Sequence, residues 1–244
     1  MRSCYQTLRR LQLVCSLALF CAAPALAGEQ LVSTAKYPSG EVIPYILDSE
    51  GDAPRYVVLL FPGGSGVMDP RLQDGRLVYG FRGNFLIRAR RYLVDREFAS
   101  VATNTTTSEE RVQALLDDIG RRFPQAKVYV MGTSNGTYAT MRLAEYLSGR
   151  VAGVIHTSSL NAISQFDSRQ YKNRQLIVSH VDDVCRATRF SASKDAAERY
   201  GTDFIAMQGG ISVGEYCEAF SHHGYNGIER ETMEKIKDWI RKGG

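Results

Sequence analysis

Short apolar runs alternate with helix-like segments along nearly the whole chain, and this alternation restricts the fold more than any other feature. The strand-like runs, in order, are LVSTAKY, EVIPYIL, YVVLLF, FASVAT, KVYVM, VAGVIHT, QLIVSH and DFIAM. A Pro-Ser-Gly turn separates the first two, which indicates an opening hairpin. Amphipathic segments separate the later runs, as in a mostly parallel sheet flanked by helices. The sequence therefore predicts an α/β fold.

Two segments show clear helical periodicity. SEERVQALLDDIGRRF begins with a capping residue, Ser108, and places Val112, Leu115, Leu116 and Ile119 on one face. The run ERETMEKIKDWI near the end of the chain spaces Met233, Ile236 and Ile240 in the same way. No internal repeat, low-complexity tract or linker divides the chain, so we expect a single domain over residues 28–244.

The first 27 residues have the pattern of a secretory signal peptide. Arg2, Arg9 and Arg10 precede an apolar run from Leu11 to Ala23, and residues 25–27 form a small-x-small cleavage site. The apolar run is too short for a convincing membrane span, and no later segment has the roughly 20 apolar residues that a spanning helix needs. We expect an exported protein, periplasmic or secreted, that starts at residue 28 and has no stable membrane insertion.

Removal of this leader changes what the charge implies. Of the 30 basic residues, the three arginines lie in the leader, which leaves 27 against 26 acidic residues. The excess positive charge therefore lies outside the predicted mature chain, and the sequence gives no support for nucleic-acid binding.

The sequence VYVMGTSNGTYAT, residues 128–140, holds Ser134 between Gly132 and Gly136 where a predicted strand passes into a helix. Glycines two residues to either side let strand and helix approach at a sharp turn, which leaves the hydroxyl at the carboxyl edge of the sheet. The Asn135 N–H would then point at an oxyanion formed on a carbonyl substrate. Taken alone, the string fits a tight turn with a satisfied hydroxyl equally well.

A serine hydroxyl is a poor nucleophile at neutral pH, so catalysis needs a histidine base and a carboxylate that orients it. RQLIVSHVDDVCRAT ends a strand with Asp182 and Asp183, and CEAFSHHGYNG places His222 and His223 in a loop before the last helix. Both segments follow predicted strands and are expected at the same sheet edge as Ser134.

A glycine-rich loop, LLFPGGSGVMD, follows the third predicted strand. Its backbone N–H groups can face the serine, and Gly64 or Ser65 is the candidate for a second oxyanion donor. A plain flexible turn is the alternative for this loop taken alone.

The order Ser134, Asp183, His223, together with the GxSxG turn, the FPGGSG loop and HHGYNG before a helix, resembles the α/β-hydrolase superfamily. The similarity covers nearly all of the predicted mature chain and is greatest to small capless esterases and dienelactone-hydrolase-like members. The resemblance implies an eight-stranded sheet, no cap domain and hydrolysis through a serine ester, with no metal or organic cofactor.

The resemblance also selects within each adjacent pair. An acid a few residues after the seventh strand matches Asp183, and a His-Gly-aromatic string matches His223. Asp182 and His222 would then be surface or packing neighbours. His156 and His180, at strand ends, are expected to be structural histidines.

Three of the five cysteines lie in the leader, so only Cys185 and Cys217 would remain in an oxidising compartment. We expect one disulfide bond, which would tie the acid loop to the base loop and stabilise the fold by roughly 3 to 4 kcal/mol. The alternatives are two reduced thiols or a metal pair.

Only about twenty residues separate VAGVIHT from QLIVSH, where many relatives insert a helical lid, so we expect an open pocket for a small ester or acyl substrate. The run GFRGNFLIRARRYL leaves two alternatives. Arg82 or Arg88 binds an anionic substrate, or the run is a solvated helix face with Leu86 and Leu93 inward, which is favoured.

Two other functions stay open at this point. The chain could be a non-catalytic exported binding protein on a hydrolase scaffold, since fold does not fix function. Among enzymes, a peptidase or a thioesterase would use the same machinery. The sequence leaves the acyl group, the leaving group and the oligomeric state undetermined.

Overall fold

The computed structural model describes residues 28–243, so the predicted leader, residues 1–27, lies outside the described residues. Eight strands form one sheet in the order β1-β2-β6-β3-β7-β8-β9-β10, and a separate hairpin pairs β4 with β5. The strands are β1 Gly28–Val32, β2 Tyr45–Ser49, β3 Tyr56–Phe61, β4 Arg71–Gln73, β5 Arg76–Val78, β6 Phe98–Ala102, β7 Lys127–Thr133, β8 Gly153–Thr157, β9 Arg174–His180 and β10 Asp203–Met207. β1 and β2, and β2 and β6, pair antiparallel, whereas the other neighbours in the sheet are parallel. The predicted fold class is confirmed.

Helices cover both faces of this sheet. They are α1 Phe85–Ala89, α2 Glu109–Arg122, α3 Gly136–Arg142, α4 Ala144–Leu147, α5 Phe190–Tyr200 and α6 Glu229–Lys242. Short 3₁₀ turns occupy Arg90–Tyr92, Asn161–Gln165, Ser168–Gln170 and His222–Gly224. Ser108 caps α2 as its sequence indicates, because its hydroxyl accepts a hydrogen bond from the Arg111 N–H at 3.2 Å.

The opening hairpin forms, but its strands differ from the apolar runs. β1 starts at Gly28 and its ladder with β2 ends where Val32 pairs with Tyr45. Beyond that point a single bridge, Lys36 to Val42, leads into the turn. Pro44 lies between the bridge and the ladder and has no N–H to donate, which explains why the strand EVIPYIL begins only after it. The β4–β5 hairpin was not predicted.

The core lies on both faces of the central strands. All six residues of β3 are buried, and alternate residues join two different apolar clusters. Val112, Leu115 and Ile119 of α2 pack in one cluster, and Met233, Ile236 and Ile240 of α6 pack in the other. Burial of each such side chain stabilises the fold by about 1.5 to 3 kcal/mol. Leu116 differs from its prediction in being only partly buried.

The parallel central strands bring several loops to one sheet edge. Phe61 at the end of β3 pairs with Gly132 of β7, and Thr133 at the end of β7 pairs with Thr157 of β8. The loops that follow these strands therefore emerge together, and the loop after β9 emerges beside them. Within residues 28–243 no cap domain covers this edge, because the segment 158–173 between β8 and β9 contains only two 3₁₀ turns.

In this same part of the chain no helix has the length and apolar character needed to span a membrane.

Candidate active site

Ser134 occupies a strained turn between β7 and α3. Its φ is 51°, in the left-handed region that non-glycine residues rarely adopt. A Cβ on Gly132 would lie 2.5 Å from the carbonyl oxygen of Gly136, and a Cβ on Gly136 would overlap the carbonyl of Phe61. The two flanking glycines are therefore required by close backbone contacts, and the Ser134 N–H is fixed by a 3.1 Å bond to Thr157 O.

Asp183 and His223 form a buried pair. Nδ1 of His223 lies 3.0 Å from Oδ2 of Asp183, and the Asp183 side chain is fully buried. The other carboxylate oxygen, Oδ1, accepts a hydrogen bond from the Cys185 N–H at 2.9 Å. A buried carboxylate in this position fixes the imidazole ring and keeps a proton on Nδ1.

Thr188 is a third member of this arrangement, and it was not predicted from the sequence. Its Oγ1 donates to Asp183 Oδ2 at 3.0 Å and lies 2.9 Å from His223 Nδ1. Since one hydroxyl carries a single proton, it donates to the carboxylate and accepts from Nδ1–H. Thr188 is fully buried, although both residues before it in the acid loop are exposed. Burial of this kind is a property of the folded chain, so the sequence itself offers no signal for Thr188.

The His-Gly-Tyr string has a structural reason at each position. The carbonyl oxygen of His223 accepts a hydrogen bond from Ser158 Oγ at 2.6 Å. Gly224 has no room for a Cβ, which would overlap the carbonyl of Ala219. The Tyr225 hydroxyl accepts from the Ser158 N–H at 3.0 Å and donates to Val178 O at 2.9 Å. The base loop is thereby attached to the ends of β8 and β9.

Ser134 and His223 line the same cavity, which has a volume of about 410 Å³. This volume lies within the range of small-molecule binding sites. Nδ1 of His223 is bonded to Asp183, whereas Nε2 has no hydrogen-bond partner within residues 28–243. Within residues 28–243 no hydrogen bond joins Ser134 Oγ to this imidazole, a bond that often tightens only when substrate is bound.

The glycine-rich loop packs directly against the serine turn. A Cβ on Gly63 would lie 2.9 Å from Ser134 Cβ, and Asn135 Nδ2 donates to Gly64 O at 3.0 Å. Gly64 lines the cavity, whereas Ser65 is exposed outside it. In the described part of the chain the N–H groups of Gly64 and Asn135 donate to no protein acceptor. Of the three predicted donors, Gly64 lines the cavity, whereas Ser65 and Asn135 do not.

Asp182 and His222 do not line the cavity. The Asp182 side chain is exposed, and its N–H donates to His180 Nδ1 at 3.0 Å. The rings of His222 and His180 are stacked, with centroids 4.6 Å apart and planes at 4°. His180 Nε2 contacts Gly209 O at 2.8 Å, and burial lowers the pKa of its imidazole. Asp182, His222 and His180 therefore contact one another outside the cavity.

His156 does not line the cavity, and its side chain is fully buried. Thr140 Oγ1 lies 2.9 Å from its Nδ1, and Gln175 Oε1 lies 3.0 Å from its Nε2. Burial lowers the pKa of this imidazole to about 4, so it is neutral at physiological pH.

A disulfide bond joins Cys185 to Cys217, with a Cα–Cα distance of 4.8 Å. Cys185 is buried two residues after Asp183, and exposed Cys217 lines the cavity six residues before His223. The bond thus connects the loop that carries Asp183 to the loop that carries His223.

Neither arginine considered as an anion site lines the cavity. Arg88 donates to Glu229 at 3.0 Å, Gly83 O at 2.7 Å and Gly224 O at 2.6 Å, so it braces the base loop. Arg82 stacks on the Tyr79 ring at 4.2 Å. Leu86 and Leu93 are fully buried, which agrees with the alternative of an inward apolar helix face.

Two groups of metal-ligand residue types occur within residues 28–243, and each has members that are already engaged in other bonds. His180, in the first group, has both ring nitrogens in hydrogen bonds. In the second group Cys185 is part of the disulfide, and Asp183 and His223 bond each other.

The overall architecture is shared with known serine hydrolases and esterases. XC6422 from Xanthomonas campestris, an α/β serine hydrolase without lid, superposes with a TM-score of 0.58 at 14% identity, covering 86% of this chain and 95% of that one. The esterase domain of a Rhodothermus marinus protein gives 0.61 at 12% identity, covering 88% and 100%. Est1E from Butyrivibrio proteoclasticus gives 0.59 at 14% identity, covering 89% and 99%.

At the level of sequence, no family model and no curated protein matches the chain. The likeness is therefore one of fold, and it extends over nearly the full length of each of the three structures. The chain has the α/β-hydrolase fold, with no cap domain within residues 28–243.

Proposed function

We propose that this protein is an exported serine hydrolase that cleaves an ester bond through Ser134, His223 and Asp183. The observation that carries this proposal is the convergence of a serine at positive φ and a carboxylate-paired imidazole on one cavity. Strained backbone at a cavity is typical of functional sites. The alternative for this string, a tight turn with a satisfied hydroxyl, gives no reason for the partly exposed Ser134 to share a cavity with His223.

In the proposed reaction, Nε2 of His223 removes the Ser134 proton while Oγ attacks the substrate carbonyl carbon. The resulting oxyanion accepts hydrogen bonds from the N–H groups of Asn135 and Gly64. His223 then transfers the proton to the leaving alcohol, and an acyl-serine ester remains. Water, deprotonated by the same imidazole, attacks this ester and releases the acid and free Ser134.

Asp183 and Thr188 act on this sequence of steps through His223. The carboxylate stabilises the imidazolium that forms in each half-reaction, and it does not itself need to gain a proton. Thr188 Oγ1 contacts both the Asp183 carboxylate and His223 Nδ1, and so helps to hold the two groups together. The disulfide keeps the two loops that carry this pair in register.

The substrate preference for esters rests on the open cavity and on the related folds. The cavity is uncapped, which suits short acyl groups or a carbonyl on a larger exposed molecule. The esterase domain from Rhodothermus marinus shares the architecture over its full length. Export rests on the predicted leader and on the disulfide, a bond that persists in oxidising compartments.

Hydrolysis of p-nitrophenyl acetate and butyrate by the purified protein, together with Ser134→Ala, tests the proposal. Wild type is expected to hydrolyse both esters and to be labelled by a fluorophosphonate probe at Ser134. Ser134→Ala should lose both properties, while Ser212→Ala, at an exposed serine outside the cavity, should retain them. A folded wild type that shows neither hydrolysis nor labelling would support the binding-protein alternative, and parallel thioester and peptide substrates separate the enzyme classes.

A further inference from the structure

We infer that the cavity at Ser134 contains a cation-binding subsite formed by Glu218 and neighbouring phenylalanines, and that the preferred esters carry a positively charged alkylammonium group. This inference rests on the proposed function, and it adds a substrate class to it.

Of the residues between 28 and 243 that line the cavity with Ser134 and His223, Glu218 is the one carboxylate. The residue is exposed, and within residues 28–243 its carboxylate forms no ion pair and accepts no hydrogen bond. By contrast, Glu229 nearby is paired with Arg88 at 3.0 Å. A carboxylate without a protein partner at the wall of a substrate cavity is free to pair with a charge on the substrate.

The surrounding charges do not offset Glu218. Among the described residues that line the cavity there is no lysine or arginine. The Arg88 guanidinium lies over the Phe220 ring, 5.1 Å from its centroid, so it already occupies one face of that ring. Its donors are all directed to Glu229, Gly83 O and Gly224 O, so its charge is matched and its hydrogen bonds are used. The cavity therefore favours positive over negative ligands.

Three aromatic rings line the same cavity: Phe81, Phe85 and Phe220. The faces of such rings attract cations, and quaternary ammonium groups are commonly bound among them. Phe81 has a φ of 59°, and a Cβ on Gly64 would lie 2.7 Å from its ring. A bulky residue is strained in this backbone region. Here the strained conformation places the Phe81 ring against Gly64 of the glycine-rich loop.

The backbone around Glu218 is held in place on both sides. Its N–H donates to Glu215 O at 3.0 Å, and its carbonyl accepts from Ser221 Oγ at 2.9 Å. The preceding residue, Cys217, is bonded to Cys185. The carboxylate therefore extends from a fixed point of the loop, which limits the entropy lost when it pairs with a ligand.

Two isosteric esters isolate the charge. Acetylcholine and 3,3-dimethylbutyl acetate differ only in a trimethylammonium group against a tert-butyl group, and hydrolysis of both is followed by acid release. Wild type is expected to have a kcat/KM about fivefold higher for acetylcholine, the size typical of one solvent-exposed charge pair. Glu218→Gln should bring the ratio to about one, and Glu218→Lys should invert it.

Glu215→Gln is the matched control, because Glu215 lies in the same loop, is exposed and does not line the cavity. It should keep the wild-type ratio. Equal ratios in wild type and Glu218→Gln, or a ratio that falls as much in Glu215→Gln, would overturn the subsite.

A binding measurement separates this inference from the proposed function. Choline and 3,3-dimethylbutanol are titrated into Ser134→Ala and followed by NMR, which needs no turnover. The subsite predicts tighter binding of choline that is lost in the Ser134→Ala, Glu218→Gln double variant. If neither ester is hydrolysed but choline binds in this way, the proposed function fails and the subsite stands. If the esters are hydrolysed and choline shows no preference, the subsite fails and the hydrolase stands.

Discussion

Thr188 Oγ1 lies 2.9 Å from Nδ1 of His223, at the same point where that nitrogen contacts the carboxylate of Asp183. The hydroxyl donates to the carboxylate, so it both orients the imidazole and stabilises the negative charge beside it. Thr188 is therefore a positioning residue in the proposed mechanism.

Thr188→Val keeps the side-chain shape and removes the hydroxyl. We expect kcat for p-nitrophenyl butyrate to fall about tenfold with little change in KM, because the imidazole is less well oriented and substrate contacts are intact. The loss should therefore appear in kcat rather than in KM, as expected for a residue that acts through His223. Thr188→Ser should restore most of the rate. An unchanged kcat with a loss confined to thermal stability would show that the hydroxyl serves packing alone.

Removal of the proposed acid and base should affect the rate far more than removal of their sequence neighbours. We expect His223→Ala and Asp183→Asn to lower kcat by 10³-fold or more, as for other triads. Asp182→Asn and His222→Gln are matched controls outside the cavity, and we expect rates within about threefold of wild type. Comparable losses in Asp182→Asn and Asp183→Asn would reassign the acid.

The sheet could be predicted from the sequence because its central strands are buried on both faces, and continuous apolar runs such as that of β3 encode such burial directly. Ser134 and His223 could be found for a related reason. Gly132 makes room for the carbonyl of Gly136, and Gly224 makes room for the carbonyl of Ala219, so these close contacts are short-range and their glycines are visible in the sequence.

Other parts of the site depend on contacts between residues far apart in the chain. Thr188 lies 35 residues from His223, and Arg88 lies 136 residues from the Gly224 carbonyl that it binds. Their side chains carry no local pattern that would indicate these partners. Glu218 cannot be predicted either, but for a different reason. It matters because it has no partner within residues 28–243 and lines a cavity. Such properties exist only once the chain has folded.

The disulfide should contribute to both stability and rate. It closes a separation of 32 residues, for which the chain-entropy model gives roughly 3 to 4 kcal/mol of stabilisation. We expect the Cys185→Ser, Cys217→Ser double variant to lose about this free energy of unfolding in urea titrations. At a temperature where it remains folded, its kcat should also fall, because the base loop is no longer held to the acid loop. Full activity in the folded variant would show that hydrogen bonds alone position His223.

His156 should make the protein less stable in mild acid. Burial lowers its pKa to about 4 in the folded state, against an ordinary value of 6.5. Between these values the unfolded chain binds a proton that the folded chain excludes. The stabilisation is therefore complete above pH 6.5 and is lost progressively as the pH falls toward 4.

The shift corresponds to at most about 3 kcal/mol. The free energy of unfolding is measured by urea titration at pH 7.5 and at pH 5 in wild type and in His156→Asn. Asparagine retains a donor and an acceptor for Thr140 and Gln175 but does not titrate in this range. The variant should be less stable than wild type at pH 7.5, because the packing around the ring is lost, yet its stability should decline less between the two pH values. Equal declines in the two proteins would mean that the acid sensitivity arises elsewhere, His180 being the next candidate because burial lowers its pKa too.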